Sequence, residues 1–396
     1  MEASAFLIQI SEKGNKIMEP FRIGPIRPPS EADSLLMQVT QGCTWNKCKF
    51  CNLYRHTKFR AYTVDSVKED IDRMAAFARK AERSRRTDGS WDVERLNAEL
   101  REMPPEEQNS YYVVATWLLN GGKNVFLQDG NTLALSGGRL TEVLRYLKET
   151  FPQIERITSY GRAENLSKVS AEEFAELREA GLTRIHSGFE SGSDEVLAFV
   201  NKGVTSEQQI RAGKNIKAGG LELSVYFMPG LGGRALSRKN AEGMARVVSE
   251  VNPDFVRIRT AAIKPGTELY EDYERGDFVL CSEDEKVEEI RILIVKTGDV
   301  NTRIVSDHIV NLLQAVKGSL KKDREKMLAI LDEYRNMPEP EKKLFQLARR
   351  TRALISPKEL ARMPLRQRRQ LQRAAEQIAD PDEWTRTMNE WIGRYI

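Results

Sequence analysis

The chain has 396 residues, of which 40% are hydrophobic and 30% are charged. This apolar share is enough for a sizeable core and excludes a globally disordered chain. The length favours two domains or one large barrel with an appendage, and the net charge of +4 is too small to indicate a partner by itself.

The first 33 residues are rich in proline and polar groups and predict an irregular arm. Continuous apolar runs bounded by turn residues are typical of strands buried on both faces. Six such runs follow the arm, at 34–40, 124–128, 154–160, 183–189, 221–228 and 254–260. Amphipathic helical segments lie between the runs, so we predict an α/β fold with a parallel sheet and right-handed crossovers. Because six units fall short of a closed eight-stranded barrel, we expect a partial (β/α)6 barrel over 34–281, with its chemistry at the carboxyl ends of the strands.

Two regions depart from this alternation. Residues 84–122 are typical of extra helices inserted before the second strand. After about residue 282 no strand signal remains, and we predict a helical C-terminal domain over 282–396. The apolar face expected on one of its helices must pack against another element, for which the barrel is the nearest candidate. That face consists of Val305, Ile309, Leu312 and Val316.

Three of the four cysteines fall within nine residues, in the segment GCTWNKCKFCNLYRH after the first predicted strand. Cys43, Cys48 and Cys51 are separated by four and then two residues. Three thiolates from one loop can hold three irons of a [4Fe–4S] cube and leave the fourth iron open to a small molecule. The alternatives are a structural zinc site completed by His56 and three unrelated buried cysteines. Cys281 stands alone and is typical of a small core residue.

The cysteine pattern also bears on location. A secreted disulfide scaffold would spread and pair its cysteines, whereas clustered thiols suit a reducing compartment. No apolar run reaches the ~18 residues that a membrane span needs. The first residues become charged too soon for a signal peptide. We therefore expect a cytoplasmic protein with no membrane span.

The cysteine segment resembles the signature of the radical S-adenosylmethionine (radical SAM) superfamily. The common spacing there is three then two residues, with an aromatic residue just before the last cysteine. Phe50 matches that aromatic position, and the first gap is one residue longer here. The resemblance implies a [4Fe–4S] cluster held by Cys43, Cys48 and Cys51, with S-adenosylmethionine as cofactor. It further implies reductive cleavage of that cofactor to a 5′-deoxyadenosyl radical, which abstracts hydrogen from a substrate, and an electron donor such as flavodoxin or ferredoxin.

Motifs at the ends of the later predicted strands extend the resemblance. HSGFESGSDEVL is similar to a stretch of tRNA methylthiotransferases, oxygen-independent coproporphyrinogen oxidases and the catalytic subunit of Elongator. KPGTELYEDY resembles the stretch after the last core strand of the superfamily. By position, the resemblance implies cofactor contacts for Phe50, Gln128, Asp129, Gly130, Ser159, Tyr160, Glu190, Lys202, Tyr226, Met228 and Arg259. An ordinary turn at Asp129, a helix cap at Glu190 and a salt bridge at Arg259 remain alternatives.

The sequence leaves the substrate open. Residues 342–373 hold eleven Lys or Arg residues and one Glu, a charge that can meet RNA or anionic lipid or can belong to solvated helix faces. The first hypothesis is a radical enzyme that acts on a small molecule such as a metabolite, porphyrin or lipid. The second is a radical enzyme that modifies RNA or protein. The third is a zinc-stabilised, non-catalytic RNA-binding module.

Overall fold

The computed structural model describes residues 19–135 and 137–395, so most of the predicted N-terminal arm lies outside the described residues. The strands in this part of the chain are β1 (Leu35–Gln38), β2 (Thr40–Gln41), β3 (Arg60–Ala61), β4 (Asn124–Gln128), β5 (Arg156–Tyr160), β6 (Leu182–Glu190), β7 (Glu222–Phe227), β8 (Phe255–Ile258), β9 (Arg303–Val305) and β10 (Gly318–Ser319). All six predicted strands are present, as β1, β4, β5, β6, β7 and β8.

Helices occupy most of the segments between and after the strands. They are α1 (Val64–Glu82), α2 (Val93–Glu102), α3 (Pro105–Leu119), α4 (Gly137–Thr150), α5 (Ala163–Leu166), α6 (Ala171–Glu179), α7 (Asp194–Phe199), α8 (Ser206–Ala218), α9 (Gly233–Val251), α10 (Glu268–Glu274), α11 (Glu283–Lys296), α12 (Arg324–Arg335), α13 (Glu339–Arg350), α14 (Leu365–Glu376) and α15 (Pro381–Gly393). The predicted class, an α/β fold with mostly parallel strands flanked by helices, is confirmed. None of the described helices is long and apolar enough to cross a lipid bilayer.

The first of two compact units comprises Lys58–Tyr160 and Ala175–Arg184 together with the segment that ends at Thr44. In it, β1 pairs in parallel with β4, and β4 pairs in parallel with β5. Helix α1 starts at a Thr63 cap and turns an apolar face inward. The extra helices expected before the second strand are α2 and α3.

The second unit comprises Trp45–Thr57, Gly161–Phe174 and the segment that begins at Ile185. Here β7 and β8 pair in parallel, β8 and β9 pair in parallel, and β9 and β10 pair antiparallel. Capping boxes start α8 at Thr205 and α11 at Ser282. An apolar cluster around Val200, Leu231 and Leu269 forms part of the core of this unit.

The prediction of a helix that carries Val305, Ile309, Leu312 and Val316 is wrong. Residues 303–305 form β9, and the chain then runs through a loop to β10. The Asn311 side chain holds this loop, since its Oδ1 accepts from Thr260 N at 2.9 Å and its Nδ2 donates to Ile258 O at 2.7 Å. Leu312 and Val316 are buried in this loop, whereas Val305, in β9, and Ile309 are only half-buried. The domain boundary at 281/282 stays a prediction.

The close approach of two glycines in the second unit gives a first testable prediction. A Cβ on Gly243, inside α9, would lie 2.6 Å from Gly192 C and from Ser193 N. Because both are backbone atoms, they cannot give way easily, and Gly243→Ala should destabilise the protein by about 1–3 kcal/mol in urea unfolding. Gly138→Ala in α4 is the matched control, since its Cβ would have no neighbour within 4 Å. The control should stabilise by roughly 0.5–1 kcal/mol, and a Gly243→Ala protein as stable as that control would contradict the close approach.

Candidate functional site

The turn after β4 bonds to the residues on both sides of Cys43. Asp129 Oδ2 accepts hydrogen bonds from Gly42 N at 3.0 Å and from Gln38 Nε2 at 2.6 Å. Asn131 Nδ2 donates to Thr44 Oγ1 at 3.0 Å. Asp129 and Asn131 are both fully buried, and Asp129 has a φ of +92°. The Asp-Gly-Asn turn, which includes the half-buried Gly130, therefore fixes the start of the cysteine loop.

Gln128 has a different role from the predicted cofactor contact. Its Oε1 accepts from Gly24 N at 2.8 Å, and its Nε2 donates to Gly24 O at 3.1 Å and to Ile26 O at 3.0 Å. Both amide atoms thus bind the N-terminal arm, which is why we leave Gln128 out of the cofactor site. Ser159 is fully buried and its hydroxyl donates to Tyr160 O at 3.2 Å. The half-buried Tyr160 ring packs edge-on to another aromatic side chain in the same unit.

In the second unit, a turn at residues 200–203 holds the rest of the cysteine loop. Val200 O accepts from Lys49 N at 2.9 Å, and Asn201 O accepts from Trp45 Nε1 at 2.7 Å. Asn201 and Gly203 have φ values of +50° and +67°. A Cβ on Gly203 would lie 2.4 Å from an atom of the Trp45 ring. Sequence reasoning missed this contact, although an Asn-Lys-Gly sequence after a short helix was a signal for a turn.

The KPGTELYEDY motif binds the same loop segment through α10. Leu269 N donates to Lys49 O at 2.9 Å, and Lys49 Nζ lies 2.8 Å from Asp272 Oδ2. Arg55 forms an ion pair with Glu268 at 2.8 Å. The Arg55 guanidinium also donates to Cys48 O at 3.2 Å and to Cys51 O at 3.3 Å. The motif therefore fixes the backbone of both cysteines in this unit.

A buried ion pair joins Glu190 to Lys202. Glu190 Oε1 accepts from Lys202 Nζ at 3.2 Å, and each side chain is only 13% exposed. Glu190 has a φ of +65°, and the Lys202 ammonium lies 5.4 Å from the centroid of the Phe50 ring. Burial disfavours the Lys202 charge, but the neighbouring Glu190 carboxylate and the Cys48 thiolate raise its pKa above the ordinary value. The structure thus brings together Phe50, Glu190, Lys202 and Cys48.

The turn after β7 is held by a carboxylate that sequence reasoning missed. Glu289, on α11, accepts from Gly230 N at 3.1 Å and from Asn240 Nδ2 at 2.7 Å. Asn240 Nδ2 also donates to Met228 O at 3.0 Å, and Met228 N donates to Glu190 O at 2.8 Å. Burial raises the pKa of Glu289 to about 7. Its only sequence signal was an acidic residue next to Ile290 and Leu293 on the apolar side of a helix.

The remaining predicted residues of this unit are only partly enclosed. Tyr226 is half-buried, with its ring centroid 6.3 Å from that of His186. Arg259 is also half-buried, and its backbone N donates to Phe227 O at 2.9 Å.

Cys281 is 1% exposed, as expected for a core residue, and burial raises the pKa of its thiol.

None of the four cysteines, all within the described residues, is in a disulfide, and Cys43, Cys48 and Cys51 are each half-buried. In residues 19–135 and 137–395, no three His, Cys, Asp or Glu side chains are gathered in the way that a bound metal ion needs. The three cysteines therefore stay a predicted ligand set. Their thiol chemistry fits a cluster of iron and sulfide.

The chain is similar to known proteins over part of its length. The sequence profile of the Radical SAM superfamily matches residues 37–238, about half of the chain. Over 127 residues the chain is 32% identical to the tRNA uridine(34) acetyltransferase of Methanocaldococcus infernus, covering 31% of this chain and 23% of that protein. Over 175 residues it is 21% identical to the heme chaperone HemW of Bacillus subtilis, covering 44% of this chain and 46% of that protein. The chain spans less than half the length of these curated relatives.

Among solved structures, coproporphyrinogen III oxidase (HemN) from Escherichia coli aligns with a TM-score of 0.41 and 17% identity, over 66% of this chain and 51% of that one. The α/β fold and the profile match define an enzyme that uses a [4Fe–4S] cluster and S-adenosylmethionine. The chain belongs to the radical SAM superfamily. The family and both cofactors implied by the resemblance are therefore confirmed.

The contact between Trp45 and Gly203 gives a second prediction. Gly203→Ala should displace the Trp45 ring, because a Cβ would overlap it, and should lower the iron and sulfide that the protein takes up in anaerobic reconstitution. Gly276→Ala is the control, since Gly276 also has a positive φ, +81°, but no neighbour within 4 Å. Both variants carry a similar backbone strain, roughly 1 kcal/mol. Equal cluster content in the two variants would contradict a role for this contact.

Proposed function

We propose that Cys43, Cys48 and Cys51 hold the [4Fe–4S] cluster of this radical SAM enzyme and that its substrate is a small molecule. The observation that carries the first part is a single loop with three thiols whose backbone is bonded at Gly42, Lys49 and Cys51. Such bonding holds the backbone beside Cys43 in one unit and the backbone of Cys48 and Cys51 in the other. The zinc alternative needs His56 as a fourth ligand and does not account for the superfamily match.

When bound, the reduced cluster and S-adenosylmethionine together supply a one-electron route to hydrogen abstraction. The residues of this chain bind and orient. We assign the buried Glu190 and Lys202 pair to the polar end of S-adenosylmethionine, since a carboxylate and an ammonium complement its amino and carboxylate groups. Phe50 and Met228 pack against the same apolar cluster and would exclude water from the reacting groups.

The roles of the other half-buried strand-end residues are less constrained. Tyr226 and Arg259 belong to the same unit as the Glu190 and Lys202 pair, and we propose them as further contacts to cofactor or substrate. Asp129 already binds the loop backbone, so we assign it to positioning Cys43. Gly130, Ser159 and Tyr160 remain predicted contacts.

The substrate and partners follow from the chemistry of a radical. A small substrate can be enclosed completely, which shields a radical from water. The one-electron step needs a donor, for which we propose a flavodoxin or ferredoxin. We also propose a cytoplasmic location, since low-molecular-weight thiols there keep cysteines reduced and available to iron.

RNA is the second candidate substrate, and two observations favour it. The curated relatives at 32% and 34% identity are both described as tRNA uridine(34) acetyltransferases, and the matched segments cover about a third of this chain. The C-terminal region also carries arginine side chains in solvent that make no ion pair within the described residues, among them Arg366 and Arg373.

The cysteine assignment gives a third prediction. Anaerobic reconstitution of the wild-type chain should yield roughly one [4Fe–4S] cluster per chain. Replacing Cys43, Cys48 or Cys51 by Ala should remove most of the iron and sulfide, because three thiolates are needed to hold the cube. Cys281→Ala is the control and should keep the cluster. One zinc per chain without the brown chromophore would overturn the assignment.

The Glu190 and Lys202 pair gives a fourth prediction. Glu190→Gln or Lys202→Met alone should destabilise the protein by up to about 3–5 kcal/mol, because each leaves a buried charge without its partner. The double variant should recover most of the thermal stability yet bind S-adenosylmethionine roughly tenfold or more weakly in equilibrium dialysis. It should also form less 5′-deoxyadenosine after reduction with dithionite. A stable double variant with wild-type affinity would remove the pair from the cofactor site.

A further inference from the structure

The structure divides the basic stretch 342–373 into two sets of side chains. Seven of its eleven Lys and Arg side chains contact a carboxylate, a main-chain carbonyl or an aromatic ring. Arg350, for example, pairs with the buried Glu283 at 2.5 Å, and Lys342 pairs with Asp284 at 3.2 Å. The other five are Lys343, Arg349, Arg352, Lys358 and Arg368. These seven side chains already contact groups of the protein itself.

The other four are Arg362, Arg366, Arg369 and Arg373, and all four are exposed. Within residues 19–135 and 137–395, these four side chains make no hydrogen bond or ion pair. Arg366, Arg369 and Arg373 lie on α14 at positions i, i+3 and i+7, which puts them on one face of the helix. They line a groove of about 490 Å³ together with Gln370, Ala374 and Gln377. We call these three side chains the arginine face.

The opposite face of α14 is already covered. Ala375 belongs to an apolar cluster with Leu347, Trp384 and Met388, and Leu371 packs against that cluster. A helix that binds at a membrane surface inserts its apolar face among the lipids. Because α14 buries its apolar face in the protein, only the arginine face is available to a partner.

We propose that the arginine face binds the phosphate backbone of RNA. Arginine presents a planar fork that matches phosphate oxygens two at a time. Arg366 and Arg373 are seven residues apart, or ~10.5 Å along the helix axis, so the three guanidinium groups form a row in which each can meet one phosphate of a strand. Gln370 lies between the arginines and adds a neutral donor. The proposal deepens the second candidate function and rests on it for the choice of RNA over DNA.

The test is binding of a fluorescein-labelled single-stranded RNA of about 20 nucleotides to the full chain, measured by anisotropy between ~50 and 200 mM salt. Three phosphate contacts should contribute about 2 to the slope of log K against log salt, at ~0.7 per contact for a single strand. The variant Arg366→Gln, Arg369→Gln, Arg373→Gln should lose that part of the slope and bind roughly tenfold or more weakly at the lower salt.

A matched control removes three positive charges elsewhere in the same unit. Lys214, Arg238 and Lys239 are exposed and each pairs with a glutamate, so their replacement by Gln should leave the slope almost unchanged. Thermal melting checks that both triple variants fold. An equal loss in the control would overturn the proposal, as would wild-type binding by the arginine variant.

Two further binding measurements, with DNA and with lipid vesicles, identify the ligand of the arginine face. DNA of the same sequence that bound more tightly than RNA would overturn the choice of RNA. So would vesicles containing anionic lipid that bound the arginine face when RNA did not. Because RNA binding is measured without reduction or S-adenosylmethionine, a failure of radical chemistry would leave this result standing, and the reverse also holds.

Discussion

The cysteine loop has almost no regular secondary structure, so its peptide groups depend on partners from elsewhere in the chain. Asp129 accepts from Gly42 N in one unit, while Val200 and Leu269 bond the two peptide groups of Lys49 in the other. Each partner stands at the end of a strand or at a turn of a neighbouring helix. Residues far from the cysteines in sequence therefore decide the shape of the cysteine loop.

This dependence explains why unusual backbone conformations gather at these turns. Asp129, Glu190 and Asn201 have φ values of +92°, +65° and +50°, which non-glycine residues rarely adopt. Such conformations cost of order 1–3 kcal/mol each and persist only where surrounding contacts hold them. Here those contacts are hydrogen bonds to the cysteine loop, a buried ion pair and the Trp45 indole. The turns therefore hold strained backbone, which lowers their own stability, at the positions that bond the cysteine loop and the Glu190 and Lys202 pair.

Local patterns predicted most of the fold and the motifs but few of the contacts. The strands were evident because each is a short apolar run between turn residues, and the cysteine spacing indicated the cluster. The contact of Gln128 with the arm spans 104 residues, so no local pattern reveals it. The prediction of a helix over residues 304–316 was wrong because the apolar spacing of a helix also fits a strand followed by a loop with buried side chains. Glu289 was missed since its donors, among them Gly230 N and Asn240 Nδ2, lie on other elements.

The parallel pairing of β8 with β9 has a consequence for synthesis of the chain. β8 ends at Ile258, whereas its partner begins only at Arg303. A ribosome adds these 45 or so residues at ~5–20 per second, so one edge of β8 waits roughly 2–9 s for its partner. An unpaired strand edge is a template for pairing with another chain. Translation speed through this interval, together with any chaperone bound to the nascent chain, would then decide how much newly made protein escapes aggregation.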